Sequence, residues 1–234
     1  MHLDNPFVAR NGNCEVITSV FGKNPDDLFV KLSSVAADTR RIFEVRFDLF
    51  PDHHMESLAA VIGYMNRRKL RYVFTYRTED ADDALEKYQY AARNSALAVD
   101  LDMRLKELAN DLQGKTPVIL SYHGNGEWDL QEIMKNMIMF QAQSYKLANT
   151  YSDIDLFLND LAAMASMRDK IENPLSFIPM GTGNSFLRVI SASLVSDFTY
   201  SMLDNESAPG QMNYDQMVSM IGTCNKIMQR KLSQ

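Results

Sequence analysis

The chain has 234 residues, of which 46% are hydrophobic and 23% charged, a composition typical of a globular protein with a substantial core. The formal net charge is −6 and there is no long run of lysine and arginine, which argues against nucleic acid and anionic membranes as partners. Two cysteines, Cys14 and Cys224, are too few for a disulfide framework or a cysteine metal site. No stretch reaches the length of a membrane span, and no signal-peptide pattern opens the chain, so we expect a cytoplasmic protein.

Short apolar or alternating segments, each bounded by turn residues, predict eight strands. They are residues 15–21, 42–48, 70–77, 96–102, 117–123, 144–148, 174–180 and 197–202. In the second of these, alternation places Glu44, Arg46 and Asp48 on one face. Helices are predicted between the strands: after the Asn24-Pro25 cap, at 55–67, from the acidic stretch 79–83, at 103–112, at 130–140, after Ser152, at 185–191 and from Tyr214.

Eight alternating strand and helix units favour a (β/α)8 TIM barrel over an open doubly wound sheet. No linker or low-complexity tract divides residues 1–234, so we expect a single domain. Gly181-Thr-Gly183 is only an isolated G-x-G, which indicates a tight turn more readily than a dinucleotide site.

Several ionisable or unusual residues lie at the predicted carboxyl ends of strands, where such barrels carry their active sites. They are Arg77, His123, Lys146 and Met180. Each alone fits a structural role, such as a hydrogen-bonded core histidine or a surface ion pair. Their occurrence on separate strands favours a site, and the alternative is a polar plug in the barrel mouth.

Lys146 has apolar neighbours, Tyr145 and Leu147, in a strand predicted to be buried. A buried lysine is costly unless it is neutral or paired, and a neutral amine can attack a ketone to form a Schiff base. The alternative is that Lys146 faces outward and its stem covers apolar surface. Local sequence leaves both interpretations open.

Five segments follow one another in the order and spacing of a single family: 44–48 (EVRFD), 75–77 (TYR), 121–123 (SYH), 146–148 (KLA) and 207–211 (SAPGQ). On these motifs the chain resembles the type I 3-dehydroquinate dehydratases. The resemblance implies a (β/α)8 barrel, often dimeric, that converts 3-dehydroquinate to 3-dehydroshikimate without a metal or organic cofactor. It implies that Lys146 forms the Schiff base and that His123 transfers the proton, roles that suit an amine and an imidazole titrating near neutrality.

The resemblance also implies a set of substrate-binding residues. Arg188 matches the carboxylate-binding arginine, a role that suits a guanidinium fork, while Ser207 and Gln211 match a loop that closes over the ring. The whole set is Glu44, Arg46, Arg77, Met180, Arg188, Tyr200, Ser207 and Gln211.

The chain departs from the family pattern at several positions. Ala81 stands where the family has a glutamate that orients the histidine, and Gly124 stands where an aspartate follows the histidine. Asn149-Thr150 replaces an aliphatic pair, and Leu187 replaces a serine.

These departures leave alternatives to an active dehydratase. One is an anion-binding barrel with reduced or lost turnover, motivated by Ala81, and another is a lysine-dependent enzyme such as an aldolase acting on a different keto acid. If a carboxylate does replace the missing glutamate, the acidic loop offers Glu79, Asp80 and Asp82 as candidates.

Overall fold

The computed structural model describes residues 6–7, 14–35, 40–181 and 183–232, apart from the side chains of residues 229–232. Eight parallel strands are hydrogen-bonded in the order β7-β6-β5-β4-β3-β2-β1-β8. The strands are β1 Glu15–Val20, β2 Ile42–Arg46, β3 Arg71–Thr75, β4 Ala98–Asp102, β5 Val118–Asn125, β6 Ser144–Thr150, β7 Leu175–Met180 and β8 Phe198–Met202. The prediction of a (β/α)8 barrel is confirmed.

Helices alternate with the strands and cover the outside of the barrel. They are α1 Pro25–Ser33, α2 Met55–Arg67, α3 Ala81–Arg93, α4 Leu108–Leu112, α5 Leu130–Ile138, α6 Ile154–Arg168, α7 Ser185–Leu194 and α8 Tyr214–Leu232. Two 3-10 turns, Phe47–Leu49 and Met103–Leu105, follow β2 and β4. Across the described part of the chain, none of the helices combines the length and the apolar character that crossing a membrane requires.

The barrel is nearly closed, with its seam between β7 and β8. There the backbone N–H of Asp197 donates to the carbonyl of Leu175 at 2.7 Å. The Asp197 carboxylate accepts the N–H of Leu175 at 2.8 Å and pairs with Arg168 at 2.5 Å. The Asp197 side chain therefore joins the amino-terminal ends of β7 and β8, the two edge strands of the sheet.

The apolar core has two main layers, one inside the barrel and one between the strands and the helices. The inner layer consists mainly of one side chain from each strand: Ile17, Ile42, Val73, Ala98, Ile119, Ala148, Ile178 and Phe198. Because side chains alternate along a strand, polar residues two or four positions further on face the same interior. Charged groups therefore join apolar ones in the carboxyl-terminal half of the interior, and on β6 the charged residue, Lys146, lies two positions before Ala148.

Some predicted boundaries are corrected by the structure. Helix α2 occupies the predicted residues, but β2 ends at Arg46, so Asp48 lies in a 3-10 turn and not on the strand face. Helix α6 is capped by Asp153, whose side chain accepts the N–H of Asp155, and not by Ser152. Gly181 and Gly183 have positive φ angles of 121° and 85°, as a tight turn requires, while Thr182 lies outside the described residues.

Candidate active site

Lys146 lies on β6 and faces the centre of the barrel, where only 5% of its side chain is exposed. Its Nζ lies 2.5 Å from Oδ2 of Asp100 and 3.6 Å from Oε1 of Glu44. The same Nζ lies 4.2 Å from the ring centroid of Tyr200. The interpretation in which Lys146 faces outward is therefore wrong.

Asp100, on β4, is the direct partner of Lys146 and is fully buried. Burial by itself raises the pKa of this carboxyl, but the charges of Lys146 and Arg77 outweigh burial and lower the pKa to about 2. The carboxylate is thus ionised throughout the neutral pH range. It provides a fixed negative charge at the nitrogen of Lys146.

His123, on β5, lies above this pair with 23% of its side chain exposed. Its Nδ1 lies 3.5 Å from Oδ2 of Asp102, an ion-pair distance, and makes no hydrogen bond with the described residues. Desolvation lowers the pKa of His123 to about 4, opposed by the Asp102 contact and reinforced by the charges of Arg77 and Lys146. The imidazole is therefore neutral at pH 7 and able to accept a proton.

Asp102 is a site residue that sequence reasoning missed. It accepts the Nε–H of Arg104 at 2.9 Å and the backbone N–H of the same residue at 3.0 Å. Although burial raises its pKa, the contacts with His123 and Arg104 more than offset this and lower it. The missed signal was strand alternation, which places Ala98, Asp100 and Asp102 on one face of β4.

The three acids proposed from sequence as replacements for the family glutamate, Glu79, Asp80 and Asp82, are not within 4 Å of His123 in the described part of the structure. Asp80 instead caps α3 by accepting the N–H groups of Asp82 and Asp83. The question that the sequence left open is therefore answered by a residue outside the acidic loop, since the carboxylate beside His123 is that of Asp102 on β4.

Arg188, on α7, is a buried cation with 1% of its surface exposed. Its Nη2 donates to the carbonyl of Pro209 at 2.9 Å, and its Nε has no hydrogen-bond partner among the described residues. Burial lowers its pKa to about 10, which still leaves the guanidinium charged at pH 7. Arg77 also presents a buried Nε with no such partner. The two guanidinium groups give the site an excess of donors suited to an anion.

The segment between β8 and α8 is held over the barrel mouth by a chain of hydrogen bonds. Gln211 accepts the backbone N–H of Ser207 at 2.7 Å and donates to Oγ of Ser19 at 3.2 Å. Ser19 in turn donates to Oε2 of Glu44 at 2.6 Å, and Nη1 of Arg46 donates to the carbonyl of Ser207 at 3.4 Å. The loop is thereby connected to the carboxylate that lies beside Lys146.

These side chains enclose one cavity at the carboxyl-terminal end of the barrel. All ten site residues predicted from the sequence line it: Glu44, Arg46, Arg77, His123, Lys146, Met180, Arg188, Tyr200, Ser207 and Gln211. Asp100 lies beneath the cavity and Asp102 lies beside it. Anionic, cationic and titratable groups therefore converge on one small volume.

Two departures from the family pattern are explained by packing. A Cβ on Gly124 would lie 2.6 Å from Cε3 of Trp128 and 2.8 Å from Oδ1 of Asn149. Trp128 is fixed by donating to Asp160 at 2.6 Å, and Asn149 by donating to the carbonyl of Gly126 at 2.7 Å. Gly124 and Asn149 therefore form one packed unit with the indole beside β5.

Comparison with known proteins agrees with this geometry. Residues 16–227 match the sequence model of the family described as Type I 3-dehydroquinase. The chain is 34% identical over 200 residues to the 3-dehydroquinate dehydratase of Thermoplasma volcanium. That alignment covers 86% of this chain and 85% of the relative. It is 32% identical over 208 residues to the 3-dehydroquinate dehydratase of Thermoplasma acidophilum, covering 88% of each.

A solved structure shares the fold. The type I 3-dehydroquinate dehydratase of Clostridium difficile, crystallised with covalently modified comenic acid, aligns with a TM-score of 0.82 at 18% identity. The alignment covers 92% of this chain and 94% of that chain.

Proposed function

The chain belongs to the type I 3-dehydroquinase family, a family of lyases, and on that premise we propose that it converts 3-dehydroquinate to 3-dehydroshikimate through a Schiff base on Lys146. The observation that carries the proposal is the position of the Lys146 amine, which is buried between two carboxylates under a cavity that His123 and Arg188 also line. An amine, a neutral base and a cationic group within one small cavity suit a keto acid as substrate.

The proposed reaction starts when the Lys146 ammonium gives one proton to the neutral imidazole of His123 and the resulting amine attacks the substrate ketone. The imidazolium returns that proton as the ketone oxygen leaves as water, and the product is a protonated imine whose remaining hydrogen and positive charge lie on the former lysine nitrogen. Asp100 and Glu44 then face this iminium, which they stabilise without rearrangement because they already flank the ammonium. With its pKa lowered to about 2, Asp100 is too weak a base for proton transfer, so we assign it to charge pairing.

His123 is proposed as the proton-transfer residue. The iminium acidifies the neighbouring C–H, and the neutral imidazole, with its pKa lowered to about 4, accepts that proton. The resulting imidazolium returns the proton to the departing hydroxyl, which leaves as a second water. Hydrolysis of the protonated imine consumes one water and restores the Lys146 ammonium, so the net change is loss of one water from the substrate.

The arginines are proposed to bind the substrate anion. Arg188 is buried without a carboxylate partner within 4 Å among the described residues, and a substrate carboxylate would supply the missing negative charge. The charge of Arg46 is already paired with Asp48 at 2.7 Å. We therefore propose that Arg46 and Glu44 contact the hydroxyl groups of the substrate and hold the loop that carries Ser207 in its closed position. Local concentration of arginine explains how a chain with net charge −6 binds an anion.

The proposed chemistry needs no metal or organic cofactor.

From the resemblance to the family we also propose a homodimer located in the cytoplasm. Sedimentation at micromolar concentration would then give twice the chain mass of 26.7 kDa. A mass of 26.7 kDa at micromolar concentration would contradict the dimer.

The direct test is growth of absorbance from the enone product after 3-dehydroquinate is added. Wild-type protein should show turnover and Lys146→Ala should show none, with circular dichroism verifying that the variant is folded. Lys170→Ala removes an exposed lysine outside the cavity and should keep the wild-type rate. No product from wild-type protein would favour the alternative of a barrel that binds the anion without turnover. Turnover of a simple keto acid in preference to 3-dehydroquinate would favour an aldolase-type enzyme.

A further inference from the structure

We propose that Asp102 is the positioning residue for His123, and that it holds the neutral imidazole in the tautomer with hydrogen on Nδ1. The proposal rests on the proposed function of His123 as the proton-transfer residue. Parallel pairing of β4 and β5 aligns Asp102 with Ser121, and His123 is the next residue of β5 on the same face. This register brings Oδ2 of Asp102 to 3.5 Å from Nδ1 of His123.

Asp102 is separated from the substrate cavity by the imidazole. It does not line the cavity that contains Lys146 and Arg188, but it lines a second cavity on the other side of His123, together with Arg104 and Tyr122. Within the described part of the chain, no other carboxylate lies within 4 Å of the His123 ring nitrogens. Any effect of Asp102 on the reaction therefore passes through His123.

The two oxygens of Asp102 have different neighbours, which fixes the orientation of the carboxylate. Oδ1 accepts two hydrogen bonds from Arg104, one from Nε at 2.9 Å and one from the backbone N–H at 3.0 Å. Oδ2 lies 3.5 Å from Nδ1 of His123, and it also accepts a hydrogen bond from Nη2 of Arg104 at 3.4 Å. An ionised carboxylate accepts hydrogen bonds but cannot donate them. The neighbouring Nδ1 is therefore favoured as the nitrogen that carries hydrogen.

This assignment leaves Nε2 as the unprotonated nitrogen of His123, available to accept a proton. Once the imidazolium forms, the Asp102 carboxylate also stabilises its charge. Lys146 and Arg77 oppose that charge, whereas the more distant Asp100 supports it. Asp102 is thus the close anion that offsets the two cations during proton transfer.

The test combines ¹⁵N NMR of the His123 ring nitrogens at pH 7, in protein without substrate, with steady-state turnover of 3-dehydroquinate. In wild-type protein we expect a protonated Nδ1 and an unprotonated Nε2. In Asp102→Asn we expect that preference to be lost and kcat to fall by about 10- to 100-fold, the range found when the carboxylate or carbonyl partner of a metal-bound histidine is removed. KM should change little because Asp102 does not line the substrate cavity. Asp102→Glu, which keeps the carboxylate, should restore most of the tautomer preference and of kcat.

Two further variants keep the test decisive. Asp197→Asn removes a similarly arginine-paired carboxylate at the opposite end of the barrel, and it should leave the His123 nitrogens and kcat unchanged even where it lowers stability. Arg104→Gln changes a side chain that is 63% exposed and leaves the buried acid in place. This variant should move the ¹⁵N chemical shifts of the His123 ring part of the way toward those of Asp102→Asn. It therefore tests the assignment even if Asp102→Asn fails to fold.

Wild-type nitrogen shifts in folded Asp102→Asn would overturn the proposal, and so would an unchanged kcat beside an altered tautomer. If Asp102→Asn does not fold, unchanged shifts in Arg104→Gln would overturn it. Absence of turnover in wild-type protein would instead contradict the proposed function. The NMR comparison would still decide whether Asp102 fixes the tautomer, so the two failures are distinguishable.

Discussion

The Nζ of Lys146 lies 2.5 Å from Oδ2 of Asp100, and both side chains are buried at the centre of the barrel. Removing two charges from water is costly, and it is tolerated here because each charge supplies the partner of the other. The pair also marks the boundary between the apolar lower interior and the polar upper interior. Its position connects the stability of the barrel to the group proposed to react.

Acid should destabilise the protein partly through Asp100. The pKa of this carboxyl is about 2 in the folded protein and about 3.9 in an unfolded chain, so its contribution is complete above about pH 4 and is lost as pH falls toward 2. Urea unfolding at several pH values should show a shallower loss of stability in Asp100→Asn than in wild type. Asp111→Asn, at an exposed carboxylate, should keep the wild-type slope. If the free energy of unfolding falls equally with pH in Asp100→Asn and in wild type, the Asp100–Lys146 pair does not contribute to acid destabilisation.

Arg188→Gln should weaken substrate binding. A hydrogen bond to a charged group contributes about 1.5–3 kcal/mol, so kcat/KM should fall by about 10- to 100-fold, mainly through KM. Arg68→Gln, at an exposed arginine at the end of α2, should keep the wild-type value. A variant with unchanged KM would remove Arg188 from the proposed anion site.

Gln211→Ala should loosen the loop over the cavity. The side chain joins Ser207 to Ser19, so its removal breaks the hydrogen bonds that connect the loop to the barrel interior. Hydrogen exchange of residues 204–211 should become faster and KM should rise. Gln216→Ala, at an exposed position on α8, provides the control. Unchanged exchange in Gln211→Ala would mean that other contacts hold the loop.

Gly124→Ala should destabilise the fold because the added Cβ has no room beside Trp128 and Asn149. Overpacking of this kind typically costs about 1–3 kcal/mol, which for a chain of this size corresponds to a melting temperature lower by about 2–12 °C. Gly222→Ala, where an added Cβ meets no atom within 4 Å, should show no such loss. Adding Trp128→Leu to Gly124→Ala should recover part of the stability. A Gly124→Ala variant as stable as wild type would contradict the packing account.

The barrel could be predicted because its periodicities are local, whereas most of the site residues were predicted from the resemblance to one family. Alternation along 42–48 identified the shared face of Glu44 and Arg46, and the segments around His123 and Lys146 identified two of the strands that carry site residues. These features depend on neighbours within one segment, which a sequence displays directly.

The carboxylate neighbour of His123 could not be predicted because it depends on the register between two strands. Asp102 reaches the imidazole only because β4 and β5 align Asp102 with Ser121. The family glutamate that Ala81 replaces lies in the loop after Arg77, so the candidates from the sequence were the loop acids Glu79, Asp80 and Asp82. Alternation along β4 indicates the face on which Asp102 lies, but the register that brings Asp102 beside His123 leaves no local pattern in the sequence.

The central claim is that Lys146 forms a covalent imine with the substrate, and borohydride reduction tests it most directly. Wild-type protein treated with 3-dehydroquinate and sodium borohydride should gain the mass of a reduced substrate or product adduct, and peptide mapping should locate the adduct on Lys146. Lys146→Ala treated in the same way should keep its original mass. An unmodified wild-type protein under turnover conditions, or an adduct on another lysine, would contradict the account.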